Sequence, residues 1–116
     1  MKTINLAEKF AQIDAPWSPH IVAGLNDYHL KLAKFHGSFE WHSHADTDEA
    51  FLVLDGAIEI EFRDRTIQVA AGELAVVPAG VEHRPVASEP ASVLMIEPAG
   101  TTNTGQADGD TGTFLT

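Results

Sequence analysis

Residues 37–56 read GSFEWHSHADTDEAFLVLDG, and this stretch decides which fold and which site the chain is expected to have. His42 and His44 stand where a strand is expected, and residues two apart in a strand share a face, so both imidazoles can reach one ion. Glu49 follows them and enters the next strand close to the two histidines if 45–48 form a bend. Two histidines and a carboxylate are the minimal set for an open non-haem metal site.

The sequence after this stretch predicts a series of short strands. In 57–62, apolar residues alternate with Glu59 and Glu61, as in a half-buried strand, whereas 51–54 is apolar on both faces and must be covered on its outer side too. Asp55-Gly56 between them is a hairpin signal. With the turn signals at 63–65, 71–72 and 78–80, the predicted strands are 51–54, 57–62, 66–69, 74–77 and 93–96. Short strands at this spacing indicate a barrel or sandwich.

Strand alternation also predicts which side chains face the interior. Five apolar residues are expected to line or close a cavity behind the site: Phe51, Val53, Ile58, Ile60 and Val76. Leu52 and Leu54 have the opposite parity, so part of the outer surface must be covered by a second chain or by the N-terminal segment. We expect a homodimer.

The two ends of the chain differ from this central part. Leu6, Phe10 and Ile13 recur at helical spacing, which predicts a short helix or turn within 4–13 that packs on the body. Strand alternation begins at His29, and the residues after 98 are mostly Gly, Thr, Asp and Asn. We therefore divide the chain into an N-terminal segment (1–28), a barrel (29–98) and a loop or mobile tail (99–116).

A further histidine comes from elsewhere in the chain. His83 follows the turn at 78–80, and a ligand from a distant strand would tie the barrel together through the ion. A His-X-His pair taken alone is more often an ordinary surface feature than a metal site.

The other histidines and the nearby aspartates have ordinary explanations. We expect three histidines on the surface or in loops, namely His20, His29 and His36. Asp is common in turns, which explains Asp46 and Asp48, although either could also support a metal ligand from behind.

Composition narrows the class of protein. The chain has 116 residues, the size of one domain, and no cysteine, so a metal must be held by nitrogen and oxygen. Seventeen acidic and seven basic side chains give a net charge of −10, which disfavours nucleic acid and anionic membrane surfaces as partners. The chain begins without the apolar core of a secretory signal and lacks an apolar run of the roughly 20 residues that a membrane helix needs. We expect a cytoplasmic protein.

Both histidine-containing stretches resemble the two motifs of the cupin superfamily, and the chain is similar to its small single-domain (cupin type 2) members. The first motif is carried by Gly37, His42, His44, Glu49 and Gly56. The second is carried by Gly72, Pro78, Gly80 and His83. One departure is Ala87, where the family often has an asparagine that is not a metal ligand.

The resemblance implies a fold and a ligand set. The fold is all-β, a single cupin β-barrel (a double-stranded β-helix of jelly-roll type) with a short N-terminal helix or turn. His42, His44, Glu49 and His83 are carried over as ligands of one divalent transition metal ion. Mixed nitrogen and oxygen ligands suit iron, manganese, nickel, copper or zinc alike, so the sequence does not select the metal.

Two classes of function follow from the resemblance. One is a metal-dependent enzyme of oxygenase, isomerase or lyase type acting on a small chelating molecule, and proteins of this kind are often described as resembling mannose-6-phosphate isomerase. The other is a non-catalytic module that binds a metal or a small ligand. Outside the ligand set the sequence singles out no dedicated catalytic acid or base, and fold alone does not fix function.

Overall fold

The computed structural model describes residues 2–106 and 109–115. Within those residues the chain forms one short helix and eight strands. In chain order they are α1 (Leu6–Phe10), β1 (His20–Leu25), β2 (Tyr28–Ser38), β3 (Glu49–Asp55), β4 (Ala57–Phe62), β5 (Thr66–Ala70), β6 (Leu74–Val77), β7 (His83–Pro98) and β8 (Thr113–Phe114). The all-β fold with a short N-terminal helix is therefore confirmed.

Strand β7 organises the sheet. Along one edge it pairs with β2, from Val86 to Pro98, in antiparallel register. Along the other edge its first part pairs with β4 and its second part pairs with β3. The sheet continues from β4 to β5, from β3 to β6 and from β2 through β1 to β8, so the strands curl around a common interior.

The hairpin predicted at Asp55-Gly56 is wrong. Strands β3 and β4 do not pair with each other; they follow one another along the same edge of β7. Gly56 has a φ of +80° and lies where the chain crosses the bend of β7, so close that a Cβ on it would be 2.9 Å from the carbonyl oxygen of Pro90. Only glycine combines this backbone conformation with so close an approach. The next turn, at 63–65, does join a hairpin, because β4 pairs with β5 from Ala57 to Glu61.

The interior of the barrel is a single apolar cluster. Four of the five residues predicted to face inward are buried at 2% exposure or less, namely Phe51, Val53, Ile58 and Ile60. The prediction for Val76 is wrong, since 57% of this residue is exposed and its neighbour Val77 is buried instead. The run at 74–77 is entirely apolar, so it contains no polar residue from which to read the phase of the strand.

The N-terminal segment covers the outer side of the barrel. Asn5 caps α1 by accepting the backbone N–H of Glu8 at 3.0 Å. Phe10 and Ile13 then form a second buried cluster with Leu32 and Leu94, and Leu52 packs against it. This segment thus covers Leu52, whereas Leu54 is 36% exposed.

Strands β1 and β8, which were not predicted, extend the sheet beyond β2. Pro19 precedes β1, which pairs antiparallel with β2, and β8 pairs parallel with β1 at His20 and Ile21. The backbone N–H of Leu115 donates to the carbonyl of Ile21 at 2.9 Å. Both chain ends therefore pack on the same side of the barrel. In the part of the chain that the structure describes, no helix is long and apolar enough to cross a membrane.

Candidate metal centre

His42 and His83 close one end of the barrel. They form an isolated antiparallel bridge in which the N–H of His42 donates to the carbonyl of His83 at 3.0 Å and the N–H of His83 donates back at 2.9 Å. The segment 39–48 is otherwise irregular, so the expectation of a regular strand through His42-Ser43-His44 is wrong. The imidazoles of His42 and His44 are nevertheless both buried, and their ring centroids lie 5.1 Å apart.

Glu49 opens β3 and lies between the imidazoles. Its Oε1 is 3.3 Å from Nε2 of His44 and 3.6 Å from Nε2 of His83. Each of His42, His44, Glu49 and His83 offers one ligand atom, and these atoms all lie within 4.8 Å of one another. The four residues named from the sequence therefore lie together as a possible metal site.

Two backbone carbonyls orient the imidazoles. Nδ1 of His42 lies 3.0 Å from the carbonyl oxygen of Glu40, and Nδ1 of His83 lies 2.9 Å from that of Val81. A carbonyl can only accept, so each Nδ1 carries the proton and each Nε2 keeps its lone pair. Second-sphere contacts of this kind fix the tautomer of metal-binding histidines.

Three buried polar atoms at the centre of the cluster have no hydrogen-bond partner among the described residues. They are Nε2 of His44, Nε2 of His83 and Oε1 of Glu49. Buried polar atoms are rarely left unpaired, because the loss of hydration costs about 1–3 kcal/mol for each group. Lone pairs that converge without a donor fit a cation, so the donor set suits a divalent metal ion.

The titration behaviour of the cluster agrees with this interpretation. Burial lowers the pKa of His42, and the neighbouring His83 and His44 lower it further, so this imidazole stays neutral to a lower pH than a free histidine. Burial alone would raise the pKa of Glu49, but His44 and His83, where their Nε2 atoms carry a proton, and the neighbouring Glu97 hold it below its usual range. Neutral imidazole and ionised carboxylate are the forms that bind a metal.

A buried contact between Lys31 and Glu97 was missed by the sequence interpretation. Nζ of Lys31 lies 2.6 Å from Oε1 of Glu97, and the two side chains are 0% and 1% exposed. Glu97 and Glu49 line the same cavity, and each carboxyl affects the pKa of the other. Strand parity was the available signal, since Lys31 shares a face with Ala33 and Phe35, and Glu97 shares one with Val93 and Met95.

Contact between two carboxyls changes the protonation of Glu97. Burial, and then the neighbouring Glu49, raise the pKa of Glu97 to about 9 against the opposing effect of Lys31. At neutral pH the Glu97 carboxyl therefore holds a proton, which it can donate to Glu49 while it accepts from Lys31. Oε2 of Glu97 has no hydrogen-bond partner in the described part of the chain.

A cavity lies beside the candidate ligands. It has a volume of about 30 Å³ and is reached by His42, Glu49 and Glu97. Its other lining residues are mainly apolar and aromatic: Trp17, Pro19, Ala33, Phe35, Phe39, Phe51, Pro85 and Met95, with Asn103 as a further polar group. No lysine or arginine is among the described residues that line it.

The other residues considered from the sequence lie away from the cluster. The side chains of His36 and Asp46 are exposed. Asp48 has a structural role, because its Oδ1 accepts the N–H of Ala79 at 2.9 Å and ties the bend before Glu49 to the turn before His83. Nδ1 of His20 lies 2.6 Å from the carbonyl of Ser18, a local contact outside the cluster.

Comparison with known proteins connects this geometry to a family. The sequence model of the family described as "Cupin domain" matches residues 29–97. Among solved structures, a cupin-2 domain containing protein from Shewanella frigidimarina is 49% identical, with a TM-score of 0.81 over 82% of this chain and 93% of that one.

Two curated relatives match a shorter region. The uncharacterized protein YdbB of Bacillus subtilis is 39% identical over 64 residues, which are 54% of this chain and 57% of that protein. The acireductone dioxygenase of Drosophila pseudoobscura pseudoobscura is 43% identical over 65 residues, which are 52% of this chain and 33% of that protein. The chain thus spans little more than half the length of the first and a third of the second.

Proposed function

The chain belongs to the cupin family, and from this membership we propose that it binds one divalent transition metal ion through His42, His44, Glu49 and His83 and acts on a small chelating molecule. The observation that carries the proposal is the convergence of buried lone pairs described above. Nε2 of His44, Nε2 of His83 and Oε1 of Glu49 point at one another without a donor between them.

An oxygenase is the type of enzyme that we propose. A divalent transition metal bound by these residues would supply Lewis acidity or redox chemistry next to the cavity. The similarity to an acireductone dioxygenase supports this class, although the match covers a third of that protein. The cavity offers less to an isomerase of sugar phosphates, because no cationic side chain among the described lining residues would bind a phosphate.

The residues around the cavity have separate parts in such a reaction. The aromatic walls exclude water and hold the apolar part of a substrate. Glu97 holds a proton next to Glu49 and faces the cavity, so it is the group placed to exchange a proton with a bound molecule. Lys31 keeps the Glu97 carboxyl in this position.

A non-catalytic metal- or ligand-binding module is the second candidate. The size of the cavity favours it, since about 30 Å³ holds only one or two water molecules and leaves no room for a substrate in this conformation. A module of this kind would keep the metal site and show no turnover.

Metal binding is tested by reloading. Metal-free protein is reconstituted in turn with iron, manganese, nickel, copper and zinc, and the metal content is measured by elemental analysis. We expect one ion per chain. His44→Ala and His83→Ala should each lose most of the metal and keep their circular dichroism spectrum, whereas His36→Ala, which changes an exposed histidine, should bind as the wild type does. Failure of every metal to approach one ion per chain would refute the site.

Turnover is tested separately on the loaded protein. Dioxygen uptake is measured with a panel of hydroxy acids, diphenols and enediols, and isomerisation is measured with sugar phosphates. Dioxygen uptake that disappears in His83→Ala supports the oxygenase. Isomerisation without dioxygen uptake would support the isomerase, and stoichiometric metal without any turnover would favour the binding module.

We also propose that the protein is cytoplasmic, forms a homodimer and is organised as an N-terminal segment (1–28), a cupin barrel (29–98) and a tail (99–116). The dimer is supported by apolar side chains left exposed on the outer surface. Leu74 and Val76 on β6 are 61% and 57% exposed. Strand β6 pairs only with β3 among the described strands, so these side chains stand at an edge of the sheet where a second copy could cover them.

A further inference from the structure

The residues that follow β7 lie across the end of the barrel that carries the candidate ligands. We call 99–106 the C-terminal arm. Thr101, Thr102, Gly105 and Gln106 of the arm face His44 and the bend after it across one groove. Gly105 and Gln106, with Thr104, face the segment from Glu40 to Ser43 across another. The arm lies outside the region matched by the cupin family, which ends at residue 97.

One contact shows how closely the arm is packed. Gly105 has a φ of +76°, and a Cβ built on it would lie 1.9 Å from the carbonyl oxygen of Ser43. No side chain fits at this position without moving the arm away from the residue between His42 and His44. Gly100, at the base of the arm, has a similar φ of +87° but open space around it.

The arm is attached at its base and held again farther along the chain. Nζ of Lys31, the partner of Glu97, donates to the carbonyl of Thr101 at 3.1 Å. The N–H of Asn103 donates to the carbonyl of Asp110 at 2.7 Å, and β8 pairs with β1 beyond it. Between these points the arm has few backbone hydrogen bonds to the barrel, so it is the part of the cavity wall that can move at the lowest free-energy cost.

The cavity is closed on this side by Asn103. It is the one residue of the arm among those that line the cavity, and it shares the cavity with Glu97, Glu49 and His42. At about 30 Å³ the cavity holds one or two water molecules, so an organic ligand that enters it needs more volume, which displacement of the arm would supply. Several other wall residues, Ala33, Phe35, Phe51 and Met95, belong to the buried core and are tightly packed.

We propose that the C-terminal arm is a lid over the cavity, which opens to admit a small neutral ligand and then places the amide of Asn103 against it. The amide offers both a donor and an acceptor, which suits a hydroxyl or carbonyl group on an otherwise apolar molecule. No cationic side chain is among the described residues that line the cavity. A carboxylate or phosphate group on a ligand would therefore have no charged partner there except the metal itself. The position of the ligand rests on the proposed function, whereas the movement of the arm does not.

The lid is tested with a matched pair of glycine variants. Gly105→Ala and Gly100→Ala both place alanine at a positive φ, but only the first collides with Ser43. The chain has two tryptophans, so a Trp41→Phe background leaves the cavity residue Trp17 as the only reporter. Gly105→Ala should raise the acrylamide quenching of Trp17 about twofold or more, and Gly100→Ala should leave it near that of the parent. Equal quenching in the two variants overturns the lid.

Hydrogen exchange of the wild type tests the same movement without a substitution. The amides of Asn103 and Gly105 should exchange through local opening, much faster than the amide of Leu94 in the centre of β7. Exchange of the arm only at the rate of global unfolding would overturn the proposal even if Gly105→Ala does not fold.

The contact with Asn103 is tested on zinc-loaded protein, in which no redox turnover occurs. Catechol is a neutral probe, and its binding is measured by calorimetry. Asn103→Ala should weaken catechol binding about fivefold, the loss of one hydrogen bond. An unchanged catechol affinity in Asn103→Ala overturns the role of Asn103. Absence of zinc binding would refute the proposed function, while quenching and exchange still decide on the lid.

Discussion

Nζ of Lys31 donates to Oε1 of Glu97 inside the barrel at 2.6 Å, although both side chains are almost fully shielded from solvent. Glu97 lines the same cavity as the candidate ligand Glu49, and the two carboxyls affect each other's pKa. One cation, Lys31, thus lies near two buried carboxyls, those of Glu97 and Glu49.

Lys31→Met should destabilise the metal-free protein by about 3 kcal/mol, because it leaves the two carboxyls buried without a cation and removes the bond to Thr101. Urea unfolding measures the change. Loading the metal should recover part of it, since a divalent ion neutralises Glu49. Lys34→Met, on the same strand but partly exposed, is the control and should stay close to wild type. A loss in Lys31→Met no larger than in this control would contradict the argument.

The stability of the metal-free protein should fall as the pH rises from 7 to 9. Glu97 keeps its proton in the folded state up to about pH 9, whereas the unfolded chain releases it near pH 4.5. The folded state therefore binds more protons in this window, and its stability falls by up to about 1.4 kcal/mol per pH unit. In Glu97→Gln the amide can accept from Lys31 and donate to Glu49, so this variant should unfold with wild-type stability at pH 7 and a flatter dependence above it. If stability falls with pH as steeply in Glu97→Gln as in the wild type, the pH dependence belongs to another group.

The imidazole of His42 should titrate below pH 6.5 in the metal-free protein, because burial disfavours its charged form. As the pH falls, His42 in the unfolded chain is protonated at a higher pH than His42 in the folded protein. The contribution of neutral His42 to folding stability is therefore present above pH 6.5 and is lost as the pH falls through the folded-state pKa. Proton NMR of the histidine ring signals measures this directly. The exposed His36 is the internal reference, and a His42 midpoint above that of His36 would be the opposite of what we expect.

Gly56→Ala should destabilise the fold more than Gly72→Ala. Both glycines have a φ near +80°, which costs about 1–2 kcal/mol for alanine. A Cβ at Gly72 meets nothing within 4 Å, whereas one at Gly56 lies 2.9 Å from the Pro90 carbonyl and 3.1 Å from the Cα of Ala91, which adds about 1–3 kcal/mol. The difference in unfolding free energy between the two variants, measured by thermal or urea unfolding, gives the contribution of the contact with Pro90. Equal losses of stability in the two variants would mean that the chain shifts at Pro90 without a free-energy cost.

Leu74→Ser combined with Val76→Ser should convert the proposed dimer to a monomer and leave its unfolding transition in place, because both side chains are exposed on β6. Light scattering at micromolar concentration measures the mass. Leu25→Ser, at a site 60% exposed on β1, is the matched control and should remain dimeric. A wild-type protein that is already monomeric would refute the dimer.

The candidate ligands could be named from the sequence because most of their information is local. His42, His44 and Glu49 fall within eight residues, and the turn at 78–80 leads directly to His83. Lys31 and Glu97 could not be paired from the sequence, because strand parity places each with apolar residues but nothing shows that β2 and β7 are neighbours. Val76 was placed on the wrong face for a related reason, since a short run without polar residues has no readable phase.

The hairpin at Asp55-Gly56 failed for a different reason. An Asp-Gly pair indicates that the chain turns with a positive φ, and Gly56 does so. Which strand then pairs with β4 depends on where β7 lies, and β7 begins almost thirty residues later.

The position of β7 in the chain also sets the order in which the protein can fold. The strands β2, β3 and β4 are connected in the sheet only through β7. When the first eighty residues have been synthesised, β7 has not, so these strands still lack the strand with which they pair in the folded protein. Only the β1–β2, β3–β6 and β4–β5 pairs can form early. Because the remaining contacts are distant in sequence, we expect slow folding with a late, concerted closing step and exposed strand edges before it. His83 enters with the start of β7 and Glu97 with its end, so the ligand cluster is completed by the same event that completes the barrel.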